Sequence, residues 1–430
     1  MMQTKMVALL AGAALSLGTT ALAQSSQYDR AADAERMGSL QSRSNLQSGG
    51  SGGMNLGGLV QFRYTANFRS DGTKGADTIT KDDDFTHGFA LGSTKLWAKG
   101  NLDNNLSYAI QGDFATDGGN FKLDDAYLAY KFNDNWSMKA GQFKLPLLRE
   151  ESVGDQYQLS AQRSVTNEVF AQKRSQGVQF AYASDSFRAM VGFSDGWRSA
   201  NTDFNSSSES DWAINGRMDF KWAGDWSRFD DFTSFSGDGN AGVVGAAIMY
   251  QGGQNTGDGT DGTLNTGVGS FLLYTIDAQI EGDGWNVFGA LIGSHMDPDA
   301  SAEDSTNAFG VVLQGGFFFN DNWEGFVRWD AIFADDNADG AANLDPSNFH
   351  FLTAGVNYYL IPKKHTMKFT TNVVVGLNET YALRSVIPTS GAGGSDVPGS
   401  SPSLPYTDGA ILGDIDSGEF GLQLQFQVLF

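Results

Sequence analysis

The chain has 430 residues, 28 Lys and Arg against 50 Asp and Glu, a net charge of −22 and no cysteine. That balance excludes a nucleic-acid partner, which needs a basic stripe, and the missing cysteine excludes disulfides and thiolate metal sites. Aromatic residues reach 12% at a mean hydropathy of −0.28, yet nothing after Gln24 approaches the roughly 18 to 20 continuous apolar residues of a spanning helix, so a helical membrane protein is excluded as well.

The N-terminus reads as a secretory signal peptide over residues 1–23. Lys5 supplies the positive start, Val7 to Leu17 the apolar stretch, and Ala21-Leu22-Ala23 the small-residue site for cleavage before Gln24. Residues 24–55 form a polar periplasmic tail. Within it Ala34, Met37 and Leu40 are spaced by three, so 31–42 can form a short helix. Twelve residues are marginal for an isolated helix. Disorder and a small oligomerisation element both stay open.

From about residue 56 to 430 the chain becomes a succession of runs with period two, the period of a strand. Sixteen are expected, starting near Leu59, Gly88, Leu106, Phe121, Trp136, Gln176, Phe187, Trp212, Val243, Val268, Trp285, Phe309, Trp323, Phe349, Met367 and Phe420. Short turns such as Asn133-Asp134-Asn135 and Asn320-Asp321-Asn322 alternate with long Gly/Asp/Ser/Asn stretches such as 148–175 and 378–416. Alternating short turns and long loops is the signature of a membrane barrel. One connection, 223–241, is too long for its place, which leaves room for two more strands there. Trp136, Trp285 and Trp323 each follow a short turn, as an aromatic girdle requires. Asn, Asp and Gly in those turns are expected to take positive φ.

The last run settles the class. Phe420, Leu422, Leu424, Phe426, Val428 and Phe430 alternate with Gly421, Gln423, Gln425 and Gln427, and only Leu429 breaks the order. One face is apolar and the other amide-lined. The fold class is all-β: a transmembrane antiparallel β-barrel with lipid outside and the glutamines toward a wet lumen. The terminal aromatic also resembles the C-terminal signal read by the outer-membrane assembly machinery, so Phe430 is the expected handle.

The stretch from Lys95 to Tyr182 resembles the phosphate-selective porin O and P family. It carries Leu96-Trp97-Ala98-Lys99-Gly100, Asp124-Asp125-Ala126-Tyr127-Leu128 and Gly141-Gln142-Phe143-Lys144-Leu145-Pro146, with Glu150-Glu151 behind. Val327-Arg328-Trp329-Asp330 and Gly355-Val356-Asn357-Tyr358 extend the likeness. The resemblance implies an outer-membrane porin of about sixteen strands, usually a homotrimer. It further implies that the third external loop, here 148–175, folds inward as the constriction of a passive channel for small hydrophilic solutes, with anions such as phosphate among the candidates. A barrel adhesin or surface scaffold without transport is the alternative.

An anion pore needs Arg and Lys at its narrow part. Candidates are Lys144 at the loop rim, Arg149, Arg163, Lys173 and Arg174 in the loop, and Arg217 and Arg328 on strands, with Arg63 beside them. The loop's four basic residues are matched by Glu150, Glu151, Asp155 and Glu168, so weak or altered selectivity is expected. The loop also holds Val153, Tyr157, Leu159, Val165, Val169 and Phe170, enough apolar surface to dock on a wall. Four histidines without catalytic or ligand spacing point away from an enzyme, and no cofactor or metal is expected. The Asp335-x-Asn337-x-Asp339-Gly340 stretch starts like a calcium loop but has Pro346 where a Glu should close it.

Overall fold

A computed structural model describes residues 53–68, 85–115, 121–204, 209–252, 269–297, 305–335, 348–379 and 417–430. The signal peptide, residues 24–52 of the polar tail and nearly all of the calcium-like stretch lie outside the described residues, and residues 53–55, expected in the tail, belong to the first strand.

Sixteen antiparallel strands close into one barrel. In order they are β1 (Gly53–Phe68), β2 (Phe85–Asn101), β3 (Leu106–Asp113), β4 (Lys122–Lys131), β5 (Trp136–Lys144), β6 (Arg174–Ala183), β7 (Phe187–Ser194) and β8 (Trp212–Ala223). They continue with β9 (Ala241–Gly252), β10 (Ser270–Gly282), β11 (Trp285–Asp297), β12 (Thr306–Asn320), β13 (Trp323–Ala334), β14 (Asn348–Tyr359), β15 (Met367–Gly376) and β16 (Phe420–Leu429). Each strand pairs with its chain neighbours, and β1 closes the ring on β16 with Phe62 opposite Phe426 and Arg63 opposite Gln425. β1 opens at Gly53, earlier than the alternation around Leu59 suggests, because its first residues pair with the long β2.

The period of two sorts the side chains as a barrel must. Phe62, Phe89, Leu96, Ile110, Leu128, Ile214, Met218, Ile276, Leu313 and Val327 are exposed on the outer face. Gln423, Gln425 and Gln427 are buried on the inner one, and Leu429, the residue out of pattern, packs inward with Leu59. Trp136, Trp285 and Trp323 are exposed outward at the short-turn mouth.

The expectation of positive φ holds at Gly284 (φ 77°), in the turn before Trp285, and fails in the two Asn turns. Among the described residues the non-glycine positions with positive φ are Lys173, Arg198, Asn201 and Lys363. Instead the Asn133 side-chain oxygen accepts the N–H groups of Asn135 (2.9 Å) and Trp136 (3.0 Å), and Asn320 does the same for Asn322 and Trp323. These are side-chain-closed turns, which ask nothing unusual of the backbone.

The long 223–241 connection adds no strands. It holds a 3-10 turn, Trp226–Asp230, followed by an extended run that packs against the barrel's inner wall. The count stays at sixteen.

Candidate pore constriction

Residues 145–173 join β5 to β6 and carry two short helices, α1 (Arg149–Ser152) and α2 (Val165–Phe170), with a 3-10 turn at Asp155–Tyr157 between them. Ser164 caps α2, its hydroxyl accepting the Asn167 N–H at 2.9 Å. Nearly every residue of the segment is buried. Its partners sit on strands all around the ring, so it crosses the bore.

Two apolar clusters seat it. Leu145, Leu147, Leu148, Val165, Val169 and Phe170 pack with Met249, Phe271, Leu273, Ile332, Phe349 and Phe351. Val153, Tyr157 and Leu159 pack with Phe288, Val312 and Phe326. The inner wall of β9–β14 is therefore hydrocarbon over much of its height, which departs from an inner face lined by amides and charges alone. Each such side chain contributes about 1.5–3 kcal/mol when fully buried. Gly310 on β12 permits the closest approach: a Cβ there would lie 2.6 Å from Thr166 and 2.9 Å from Phe170.

Between the clusters, long polar side chains of the wall reach in and bind the segment's backbone residue by residue. Gln427 of β16 donates to Gln156 O (3.1 Å), Lys368 of β15 to Gln158 O (2.7 Å) and Asn357 of β14 to Leu159 O (2.9 Å). Arg63 of β1 donates to Ala161 O (2.7 Å), and Arg328 of β13 to Ser160 Oγ (2.9 Å) and Gln162 O (3.1 Å). At the other end Arg217 of β8 donates to Leu147 O (2.7 Å). Arg217 and Arg149 share Asp219 and Asp277, with N···O distances of 2.7–2.8 Å. A buried extended segment has carbonyls that must find donors, and these side chains supply them.

The edge toward β2–β6 is built otherwise. Asp155 takes Lys95 of β2 at 2.5 Å and Arg163 of the segment at 2.5 Å, and accepts Ser93 Oγ at 2.9 Å. Lys95 lies 3.7 Å from Asp124, whose carboxylate meets Arg174 at 3.3 Å. Arg174 forks onto Asp125 with two 3.0 Å bonds. On the other branch Arg163, Lys144 and Lys173 surround Glu151 at 3.5, 3.6 and 3.9 Å, and Lys173 also pairs with Glu168. Lys139 of β5 stands over the Phe143 ring at 4.1 Å. This network is partly open: side-chain exposure reaches 35% at Lys173, 19% at Lys144 and 17% at Asp155, against 0% at Arg217.

The acids of the segment respond to this company. Burial alone would raise the Asp155 carboxyl, but Lys95, Arg163 and Lys144 outweigh it and hold the group well below the usual range. Glu151 is likewise pushed up by burial and pulled below normal by Lys173, Arg163 and Lys144. Burial would lower the Arg163 guanidinium, yet Asp155, Glu151 and Glu168 raise it above its ordinary value. Glu150, deeper in, stays raised by burial despite Arg328 and the Ser164 bonds.

The sequence candidates thus separate. Lys144, Arg163, Lys173 and Arg174 come together at the exposed edge, Arg174 as the first residue of β6 and not part of the loop. Arg217 and Arg328 face inward but are buried beneath the segment, as is Arg63, and Arg149, on α1 of the segment itself, is buried against Asp219 and Asp277 of the wall. Lys95, Asp124, Asp125, Lys139 and Asp155 join the edge although none is among the pore candidates of the sequence. Strand parity carried a signal for Lys95 and Lys99, which alternate with outward Leu96. Nothing local in the sequence could reveal that Asp155 bridges to β2. No His, Cys, Asp and Glu group among the described residues could hold a metal ion. No helix among them is long and apolar enough to cross a membrane, which says nothing about strands.

Comparison with known proteins agrees with this architecture. No curated protein matches the chain. Among solved structures it is similar to an anion-selective porin from Comamonas acidovorans, with a TM-score of 0.57 and 11% identity over 88% of this chain and 100% of that one. Pseudomonas putida OprB gives 0.54 and 11% over 88% and 94%. Salmonella typhi OmpF gives 0.52 and 12% over 88% and 98%. At these identities the likeness is one of fold. The sequence itself matches the family model for phosphate-selective porin O and P over residues 62–270, from β1 to the start of β10, which includes the segment across the bore. Over residues 62–270 the chain matches the phosphate-selective porin O and P family, and its fold is that of outer-membrane porins.

Proposed function

We propose that the protein is a passive diffusion channel for small hydrophilic solutes, narrowed between the 145–173 segment and the β2–β6 wall. The observation that carries this is the charged, partly open edge of a segment otherwise packed into a closed barrel. Lys95, Lys144, Arg163, Lys173 and Arg174 line the narrow part. Arg149, Arg217 and Arg328 hold the segment in place. Because the cations alternate with Asp124, Asp125, Glu151, Asp155 and Glu168, charge selectivity is weak. Anions such as phosphate are admitted without being strongly preferred. The similar Comamonas porin is anion-selective, which supports a basic contribution to this pore. The channel assembles as a homotrimer with 145–173 as its third external loop, after export by the N-terminal signal and insertion through the strand that ends at Phe430. The family and fold are those of channels, and no enzymatic role is proposed.

Planar-bilayer recording tests this reading. Purified protein should give discrete conductance steps, and reversal potentials in a salt gradient should lie near zero. Arg163→Ala and Lys173→Ala should each shift the reversal potential toward cations. Absent steps would leave the barrel as an adhesin or scaffold. Steps with no shift in either variant would remove the segment's edge as the selectivity element.

A further inference from the structure

We infer that the 224–240 connection is a second element inside the bore, one that seals the β10–β15 side and confines passage to the β2–β6 wall. The inference rests on the channel reading above and deepens it. Elsewhere at this mouth the described connections are short, such as 132–135, 283–284 and 321–322. This one is long and carries Phe229, Phe232 and Phe235 at intervals of three, which a solvated turn has no use for.

The phenylalanines are buried. Phe232 lies fully buried against Phe288 on the inner face of β11, with ring centroids 4.7 Å apart. Phe235 packs on Phe318 of β12 (5.2 Å) and Tyr359 of β14 (5.3 Å). Hydrogen bonds fix the run to the wall. Gln279 of β10 donates to Asp231 O at 2.7 Å, the Ser234 hydroxyl donates to Gly282 O, and Arg228 donates to Glu281 at 2.6 Å. The run then meets the segment that enters from β5. Phe232 N–H donates to Tyr157 O at 3.4 Å, and the His365 ring touches both Tyr157 (4.9 Å) and Phe235 (5.4 Å). Phe232, Tyr157, Val153, Leu159, Phe288, Val312 and Phe326 form one apolar cluster. Toward the opposite wall Lys144 of β5 and Lys173 of the segment are charged and partly open. Solute that passes must pass there.

The absence of cysteine makes the test clean. Single substitutions Lys139→Cys on the β2–β6 side and Val312→Cys in the sealed cluster are treated with a charged methanethiosulfonate reagent during bilayer recording. Current through Lys139→Cys channels should fall on modification, and current through Val312→Cys channels should not change. In a Val312→Cys chain whose residues 226–238 are replaced by a tight Asn-Gly turn, conductance should rise and the cysteine should become reactive. Heat-modifiable migration in detergent gels verifies that each variant is folded. Reaction at Val312→Cys in the full chain, or an unreactive Lys139→Cys, overturns the inference. So does unchanged conductance in a folded short-turn variant. If the short-turn variant fails to fold, the two cysteines in the full-length chain still decide. A chain that never conducts defeats the channel reading instead.

Discussion

The two sides of the bore hold the same segment by different chemistry. Toward β8–β16 the contact is hydrocarbon, backbone carbonyls capped by long side chains, and one closed quartet of Arg149, Arg217, Asp219 and Asp277. Toward β2–β6 it is a ladder of ion pairs in which Lys95, Asp124 and Arg163 are largely buried while Lys144 and Lys173 are partly open. Charges buried at near-zero exposure can only hold structure, because they have no room to exchange partners with a passing ion. Lys173, at 35% exposure, and Lys144, at 19%, are left partly wet and can do so. The difference puts seven basic candidates of one chemical type into two settings.

The sharpest way to break this division is to remove Arg217. Its side chain is fully buried, and Arg217→Ala leaves Asp277 and Asp219 with Arg149 alone. Breaking a buried pair from one side costs about 3–5 kcal/mol, whereas exchanging the whole pair for apolar residues of similar size is often neutral. The urea midpoint of the refolded barrel should therefore drop in Arg217→Ala and recover in an Arg217→Met, Asp277→Leu double variant. An Arg217→Ala chain as stable as wild type would show that the quartet is not structural.

A smaller loss is expected from Gly310→Ala. The added methyl would press on Thr166 and Phe170, and overpacking of this kind costs about 1–3 kcal/mol. Because the strain falls on the hydrocarbon side, the urea midpoint should fall while the reversal potential stays put. A shifted reversal potential with unaltered stability would mean that α2 helps set selectivity and the two sides are not separable.

On the charged side the informative change is Asp155→Asn. One carboxylate now occupies both Lys95 and Arg163, so its neutral replacement should move the reversal potential toward anions. The same residue fixes a pH dependence. A carboxyl whose value is depressed in the folded protein stabilises it above the unfolded value, and that contribution is lost as pH falls through the folded one. Asp155 and Glu151 both sit below the ordinary carboxylate values of 3.8 and 4.5. Docking of the segment and near-neutral selectivity should thus persist from pH 7 to about pH 4, and anion preference should grow only below that. A rise in anion preference already at pH 6 would show that these acids are not held ionised.

Much of the barrel was legible beforehand because lipid imposes a strict rule on every second residue. Phe420 to Phe430 obeys it, and so do Val60 to Phe68 and Trp212 to Phe220. The lumen imposes no such rule. Inward positions are filled by Gln427, Arg217, Phe271 or Phe349 according to what crosses the bore beside them, and that partner is far away in sequence. The 223–241 stretch was visible as an anomaly, but its length alone suggested extra strands. Only packing of Phe232 on Phe288 gives it a place. Parity could place Lys95 on the inner face; its meeting with Asp155 depends on how a segment 60 residues away lies across the bore.

The smallest expected effect lies at the mouth, away from both sides of the bore. Asn133 accepts two backbone N–H groups through one side-chain oxygen, and a hydrogen bond of this kind contributes about 0.5–1.5 kcal/mol net. Both donors lie in an exposed turn, so water replaces much of what Asn133→Ala removes, and the loss should fall at the lower end of that range. Asn320→Ala, in the matching turn, should cost about the same, and the double variant should show additive loss, since the two turns share no partner. Neither change should move conductance or reversal potential. A turn variant that did alter the current would mean that the mouth, and not the ladder beside Asp155, limits passage.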